Sequence, residues 1–125
     1  MIIRRYADLN RIATPGGNAS AAVATPSHGA TAISIVRQRV QPGGGNPPHT
    51  HDQEEAMTLL SGTVTLMVAG ESVELAAGDT AIVPTNTPHQ ISNTGSEPAE
   101  WLLVAPGGVR FFHTSGEEAF PEWAK

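Results

Sequence analysis

The stretch GGGNPPHTHDQEE, from Gly43 to Glu55, carries the chemistry of this 125-residue chain. After glycines and prolines come two histidines separated by a single residue, His49 and His51, and then two adjacent carboxylates, Glu54 and Glu55. Side chains two apart on a strand share a face, so both imidazoles can reach one ion. Glu55 shares their parity on a regular strand, whereas a bulge after His51 would bring Glu54 inward instead.

A second turn-rich stretch downstream ends in Pro88-His89 and offers a third imidazole. The proline removes a backbone donor and stiffens the approach, as suits a ligand at a strand entrance. The chain has no cysteine, so any metal must be held by nitrogen and oxygen. Three imidazoles and one carboxylate suit a single divalent transition metal, namely Fe, Mn, Ni, Cu or Zn. We therefore predict one metal site at the mouth of a small β-barrel.

Composition limits the partners of the chain. A formal net charge of −5 and the lack of a basic patch argue against nucleic acid and against an anionic membrane surface. No apolar stretch has the length of a signal peptide core or a membrane span, so a cytoplasmic location is expected. The expected partner is a small-molecule ligand or substrate.

Strand-like segments of four to eight residues alternate with glycine- and proline-rich turns, which predicts an all-β antiparallel sandwich or barrel. We divide the single domain into an extended N-terminal segment at 1–30, a barrel at 31–113 and a C-terminal tail at 114–125. Part of segment 1–30 is expected along a sheet edge or on a neighbouring subunit. The run Gly70-Glu71 predicts a type II′ hairpin turn, and residues 116–125 show a weak helical pattern broken by Pro121.

Residues 31–40 alternate as a strand, with Arg37 and Arg39 on the same face as Ile33 and Ile35. Two interpretations remain open for the arginines. Both lie in water at the end of the strand, or one enters the barrel mouth and meets an anionic substrate group.

Two short motifs resemble those of the cupin superfamily. The first, G(x)5HxH(x)3–4E(x)6G, is matched by Gly43, His49, His51, Glu55 and Gly62. The second, G(x)5PxG(x)2H(x)3N, is matched with one departure, and its positions here are Gly78, Pro84, Asn86, His89 and Asn93. Asn86 stands where the family has glycine. Asparagine tolerates the positive φ that such a glycine often marks, so the change is conservative.

The resemblance implies a double-stranded β-helix, the jelly-roll cupin barrel, as one domain. It implies metal ligation by His49, His51, Glu55 and His89, and its spacing to Gly62 favours Glu55 over Glu54. By parity with the ligands, four further side chains are expected to line the substrate pocket together with the arginines. They are Met57, Leu59, Ile91 and Asn93.

Cupins host many activities, and the fold does not choose among them. The first hypothesis is a metal-dependent, dioxygenase-type enzyme in which Glu55 leaves the metal to act as a base. The second is an isomerase or cyclase that uses the metal as a Lewis acid. The third is a metal-bearing ligand-binding protein without turnover. The family resemblance also implies a homodimer, because an open jelly roll leaves sheet edges that a partner strand covers.

Overall fold

The computed structural model describes residues 1–125 and contains two antiparallel β-sheets. Three single-turn 3-10 helices, at Tyr6–Asp8, Pro26–His28 and Glu122–Ala124, are its only helical elements. The strands in chain order are β1 (Ile12–Thr14), β2 (Asn18–Ala24), β3 (Ile33–Val40), β4 (His49–His51), β5 (Glu55–Ser61), β6 (Thr63–Val68), β7 (Glu71–Ala76), β8 (Thr80–Val83), β9 (His89–Ser92), β10 (Ala99–Pro106), β11 (Phe111–His113) and β12 (Glu118–Ala119).

The first sheet has the order β1-β2-β3-β10-β5-β8, and the second has the order β12-β11-β4-β9-β6-β7. Successive strands from β4 to β10 alternate between the two sheets through connections of one to six residues, with the hairpin β6-β7 as the exception. This is the jelly-roll architecture that the cupin resemblance implies. The metal-site strands β4 and β9 are neighbours in the second sheet, and β5 faces them from the first.

The hydrophobic core fills the space between the sheets. Its largest fully buried side chains include Trp101, Met57, Leu59 and Leu66. Burial alternates along β5, as expected for a strand with one face on the core. The indole Nε1 of Trp101 donates to Gln38 Oε1 at 2.9 Å, so its buried donor is satisfied.

The turn after β5 depends on a motif glycine. Gly62 has φ +77°, and a Cβ atom there would lie 2.6 Å from Pro98 O and 2.8 Å from Ala99 Cα. A side chain is excluded by both backbone conformation and space. The turn can therefore pack tightly against the start of β10.

The hairpin between β6 and β7 differs from the prediction of a type II′ turn at Gly70-Glu71. The two central residues are Ala69 and Gly70, and both have positive φ, +50° and +84°. Positive φ at both positions is typical of a type I′ turn, whose twist matches that of the flanking strands. The six residue pairs between β6 and β7 stabilise the hairpin by more than the steric cost of placing Ala69 in this conformation.

The chain termini are more regular than predicted. Residues 12–24 contribute β1 and β2, and β2 pairs with β3 along the edge of the first sheet. At the other end, β12 pairs with β11, and a 3-10 helix replaces the weak helical pattern. Pro121 limits the helix to the last residues because it cannot continue a helix from within.

Candidate metal centre and adjoining cavity

Neighbouring strands in the second sheet bring three histidines together. His49 of β4 lies directly opposite His89 of β9, and His51 follows on the same face of β4. The ring centroids are 4.2 Å apart for His49 and His89, 5.0 Å for His49 and His51, and 4.9 Å for His51 and His89. One nitrogen from each ring lies within 4.8 Å of the other two.

Glu55 completes the cluster from the first sheet. It is the first residue of β5 and is 4% exposed. Its Oε1 lies 3.0 Å from His89 Nε2, and its Oε2 contacts His51 Nδ1. The neighbouring Glu54 is exposed to solvent. The structure therefore brings together the four side chains expected as ligands and leaves Glu54 outside.

Two backbone carbonyls orient two of the imidazoles. His49 Nδ1 lies 3.0 Å from Pro47 O, and His89 Nδ1 lies 2.9 Å from Thr87 O. A carbonyl only accepts, so in both rings Nδ1 carries the proton and donates it. Nε2 is then left with a free lone pair, which is the arrangement found in metal-ligating histidines.

The same cluster holds buried polar atoms without hydrogen-bond partners. They are His51 Nδ1, His51 Nε2, Glu55 Oε2 and His89 Nε2. Leaving such atoms unpaired in the interior costs free energy, about 1–3 kcal/mol each. Coordination of a divalent ion satisfies nitrogen and carboxylate donors of this kind. The residues present thus fit a transition-metal ion.

Burial and mutual contacts set the protonation of the cluster. Burial alone would raise the pKa of Glu55, but the close contacts with His51 and His89 and their charges outweigh it and lower the pKa to about 2. Burial, with the nearby His89, lowers the pKa of His49 to about 4. Burial opposes protonation of His89 as well, yet the contact with Glu55 raises its pKa overall. At neutral pH Glu55 is a carboxylate and His49 a neutral imidazole, the forms that ligate metal.

A cavity of about 340 Å³ opens beside the histidines. His49 and His51 form part of its wall, and the wall has no charged side chain other than histidine. Aromatic contacts continue from the cluster, since the ring of Phe111 lies 4.5 Å from that of His51 and 5.6 Å from that of Trp123. This volume lies within the range of small-molecule sites.

A profile described as "Cupin domain" matches residues 36–105, which is more than half of the chain. The chain belongs to the cupin family. The matched region runs from β3 to β10 and contains the four clustered side chains. No helix in this cupin has the length and apolarity needed to cross a membrane.

Two curated relatives resemble this cupin in sequence. Auxin-binding protein 1 of Arabidopsis thaliana is 31% identical over 114 residues, 82% of this chain and 58% of that protein. Gentisate 1,2-dioxygenase of Ralstonia sp is 30% identical over 89 residues, 66% of this chain and 25% of that protein. The chain thus spans less than two thirds of either relative.

Two solved structures resemble this cupin in fold. The polyketide cyclase RemF from Streptomyces resistomycificus has a TM-score of 0.80 at 21% identity, covering 99% of this chain and 89% of RemF. The oxalate decarboxylase of Lactobacillus farciminis has a TM-score of 0.74 at 25% identity, covering 81% of this chain and 32% of that protein. The first match includes the terminal strands as well as the barrel.

The residues expected to line the pocket lie elsewhere in this cupin. Met57, Leu59 and Ile91 point inward but belong to the packed core. The Asn93 amide is buried and donates to Val40 O and Glu97 O at 3.1 and 2.8 Å. Parity correctly gives their inward direction. Their depth differs from the prediction, because the middle of a small barrel is filled with side chains and the cavity is lined mainly by residues of the terminal segments, β3 and β4.

Arg37 and Arg39 also lie outside the cavity. They are on the outer face of β3, where Arg37 Nε donates to Glu100 Oε1 at 2.9 Å and Arg39 is exposed. The inner face of β3 carries Val36, Gln38 and Val40. The placement of an arginine in the barrel mouth was wrong, because strand parity directs both guanidinium groups outward.

Several cavity residues were missed from the sequence. Gln38 has the same parity as Val36 and Val40, and this signal could have identified it. Ser20, Phe111 and Trp123 come from the terminal strands and the last helix, whose positions depend on distant pairing. His113 also lines the cavity, opposite His49 in the register of β11 and β4.

Asn86, the departure from the family motif, adopts φ +56°. Its backbone N–H donates to His51 O at 2.8 Å. The turn therefore keeps the left-handed conformation that glycine would provide, and it ties the loop before His89 to β4.

Proposed function

We propose that this cupin binds one divalent transition metal through His49, His51, Glu55 and His89 and works as a dioxygenase-type enzyme. Its substrate is a small oxygen-bearing organic molecule held in the adjoining cavity. The observation that carries the proposal is the group of unpartnered buried imidazole and carboxylate atoms beside an uncharged, partly aromatic cavity. The similarity to a gentisate 1,2-dioxygenase supports the reaction class.

The side chains have separable roles. A metal ion at this site supplies Lewis acidity and, if redox-active, the one-electron chemistry that dioxygen requires. Pro47 O and Thr87 O hold His49 and His89 in the tautomer that presents Nε2. Phe111 and Trp123 exclude water from the side of the cavity next to His51.

Glu55 serves first as an anionic ligand. A carboxylate whose pKa is about 2 is a weak base at neutral pH. Proton abstraction by Glu55 therefore requires its side chain to rotate away from His51 and His89, which removes the contacts that lower its pKa. In that position the carboxylate can accept a proton from a substrate hydroxyl or enol.

A second function follows from a different relative. Auxin-binding protein 1 matches 82% of this chain, and its name describes a ligand-binding protein. Under this alternative the same cavity and metal hold a small organic ligand without converting it. An isomerase or cyclase, which converts substrate without oxygen, is the third outcome to be distinguished.

The test is oxygen uptake by the metal-loaded protein on a panel of enolic and phenolic compounds, with substrate and product followed by chromatography. Coupled loss of oxygen and substrate supports the dioxygenase. Conversion without oxygen uptake replaces it with an isomerase or cyclase, and a ligand-dependent melting temperature without conversion replaces it with a binding protein. The His51→Ala variant is the control, and it should show none of these activities.

We also propose that the protein is a homodimer that packs through the outer face of the first sheet. One row across four paired strands of this face is apolar, formed by Ile35, Val104, Ala56 and Ile82. The Ile82 side chain is 68% exposed, and Ile33 at the end of β3 is 47% exposed. A contiguous apolar face of this kind favours association with a second copy.

A further inference from the structure

Gln38 and Ser20 form a polar wall in a cavity that is also lined by aromatic and aliphatic side chains and, besides its histidines, by the polar residues Thr14, Asn18 and Asn46. Both side chains line the cavity, and they are only 8% and 1% exposed. Gln38 Nε2 donates to Ser20 Oγ at 3.2 Å. Neither residue belongs to the metal cluster, and both are carried by the first sheet, on β3 and β2.

Trp101 determines which way the Gln38 amide points. An indole N–H can only donate, so the atom 2.9 Å from Trp101 Nε1 must be the amide oxygen of Gln38. The amide nitrogen is then directed to Ser20. One of its two protons binds Ser20 Oγ, and the second has no acceptor in the protein.

The hydroxyl proton of Ser20 is available to a ligand for a related reason. Its oxygen accepts from Gln38, and no protein group accepts its own hydroxyl proton. The wall therefore presents two donor protons to the cavity, one from the amide and one from the hydroxyl. A neutral oxygen acceptor can take both protons, whereas a donor group can use only the remaining lone pair of Ser20 Oγ.

The lack of cationic side chains in the cavity further limits the chemistry of the ligand. The cavity contains no arginine or lysine, so a carboxylate remote from the metal would find no cationic partner. The aromatic side chains Phe111 and Trp123 suit a flat apolar body. The ligand that fits is an uncharged ring system with a carbonyl oxygen directed at Gln38 and Ser20.

We propose that Gln38 and Ser20 are specificity-determining residues that bind a neutral carbonyl oxygen of the substrate, with Trp101 as the positioning residue for the Gln38 amide. The proposal rests on the proposed function in placing the substrate in this cavity. Selection by the wall needs no metal, so it can be tested separately from metal chemistry.

The probes are 1-indanone and indane, two molecules of the same shape of which only the ketone carries an oxygen acceptor. Affinities are measured by tryptophan fluorescence and calorimetry, on the protein as isolated and on a chelator-treated sample, with metal content recorded for both. The wild-type protein should prefer the ketone in both samples. If the preference for the ketone is the same after the metal is removed, ligation of the ketone by the ion is excluded as its cause.

Gln38→Leu and Ser20→Ala should each reduce the ratio of ketone to hydrocarbon affinity by about three- to tenfold, the range expected for one neutral hydrogen bond. Indane affinity should stay unchanged, which shows that the cavity remains intact. Thr58→Val is the control, because Thr58 bonds Thr80 on the outer face of the same sheet, and it should keep the full ratio.

Trp101→Phe should lower the same ratio while indane still binds, since the freed amide of Gln38 can rotate. A loss of indane binding as well would mean that Trp101 serves the structure alone. The proposal is overturned if wild-type protein binds neither probe or does not favour the ketone, or if Gln38→Leu and Ser20→Ala both keep the full ratio. Absence of metal in the wild-type sample with an intact ketone preference would refute the proposed function and leave this inference standing.

Discussion

His49 lies directly opposite His89 across the β4–β9 pair, with ring centroids 4.2 Å apart. Each follows a proline, and each donates its Nδ1 proton to the carbonyl two residues earlier. The two strands thus enter the cluster with the same local design, although forty residues separate the histidines in the sequence.

Replacing His51 or His89 by alanine should abolish stoichiometric metal binding. Loss of a residue that only hydrogen-bonds a metal ligand typically lowers metal affinity by about tenfold or more. Loss of an imidazole that itself binds the metal should lower the affinity by at least as much. Elemental analysis of the purified variants measures the effect. His28→Ala is the matched control, because His28 contacts Arg4 and Thr25 far along the chain from the cluster. Full metal retention in both cluster variants would refute the site.

Asn86→Ala should destabilise the fold by about 1 kcal/mol, because alanine pays the steric cost of left-handed backbone conformation. Asn86→Gly should be close to neutral, since glycine adopts φ +56° freely. Urea unfolding of the three proteins gives the comparison. Equal losses for both variants would mean that the asparagine side chain matters and the backbone conformation does not.

Leu59→Ala should lower the free energy of unfolding by about 2–5 kcal/mol, since this fully buried side chain would leave a cavity in the core. Its neighbour Leu60 points outward and is 38% exposed. Leu60→Ala should therefore cost much less, within about 1 kcal/mol. Chemical denaturation of the pair tests the alternation of β5 directly, and a reversed order would contradict it.

Glu100 should stabilise the protein at neutral pH and lose this effect in acid. Burial alone would raise its pKa, but the hydrogen bonds from Arg37 and Arg11 outweigh burial and lower it. A carboxylate with a lowered folded-state pKa contributes stability above its unfolded value of 4.5, and the contribution disappears as the pH falls through the folded value.

Glu100→Gln should accordingly lower the free energy of unfolding by about 1 kcal/mol at pH 7, and by progressively less below about pH 4.5. Glu122→Gln is the control, because the Glu122–Lys125 pair is largely exposed and should contribute almost nothing. Thermal unfolding across this pH range measures both. A difference between wild type and Glu100→Gln that stays constant with pH would contradict the proposed cause.

Ile82→Glu should convert the expected homodimer to a monomer, because the change places a charge in the apolar row on the outer face of the first sheet. Val73→Glu is its counterpart on the second sheet, where Val73 is 50% exposed on β7. It should leave the mass unchanged. Light scattering reports the masses, and a monomeric wild-type protein would refute the dimer.

The sequence by itself determined the strands, the jelly-roll family and the identity of the clustered side chains. Period-two alternation specifies the direction of each side chain, and the resemblance to the cupin motif favours Glu55 over Glu54. The tolerance of asparagine for positive φ also correctly anticipated the conformation of Asn86. The alternation and the turn at Asn86 are local properties, because each depends on backbone stereochemistry over a few residues.

Only the tertiary structure decided where the cavity lies and what lines it. Parity directs Met57 and Leu59 inward but does not say whether an inward side chain meets packed atoms or open space. Gln38 becomes a cavity donor because Trp101, sixty-three residues away, takes its oxygen. Trp123 reaches the wall because the C-terminal segment folds back over the barrel. Such outcomes depend on long-range pairing between strands, which local sequence patterns do not encode.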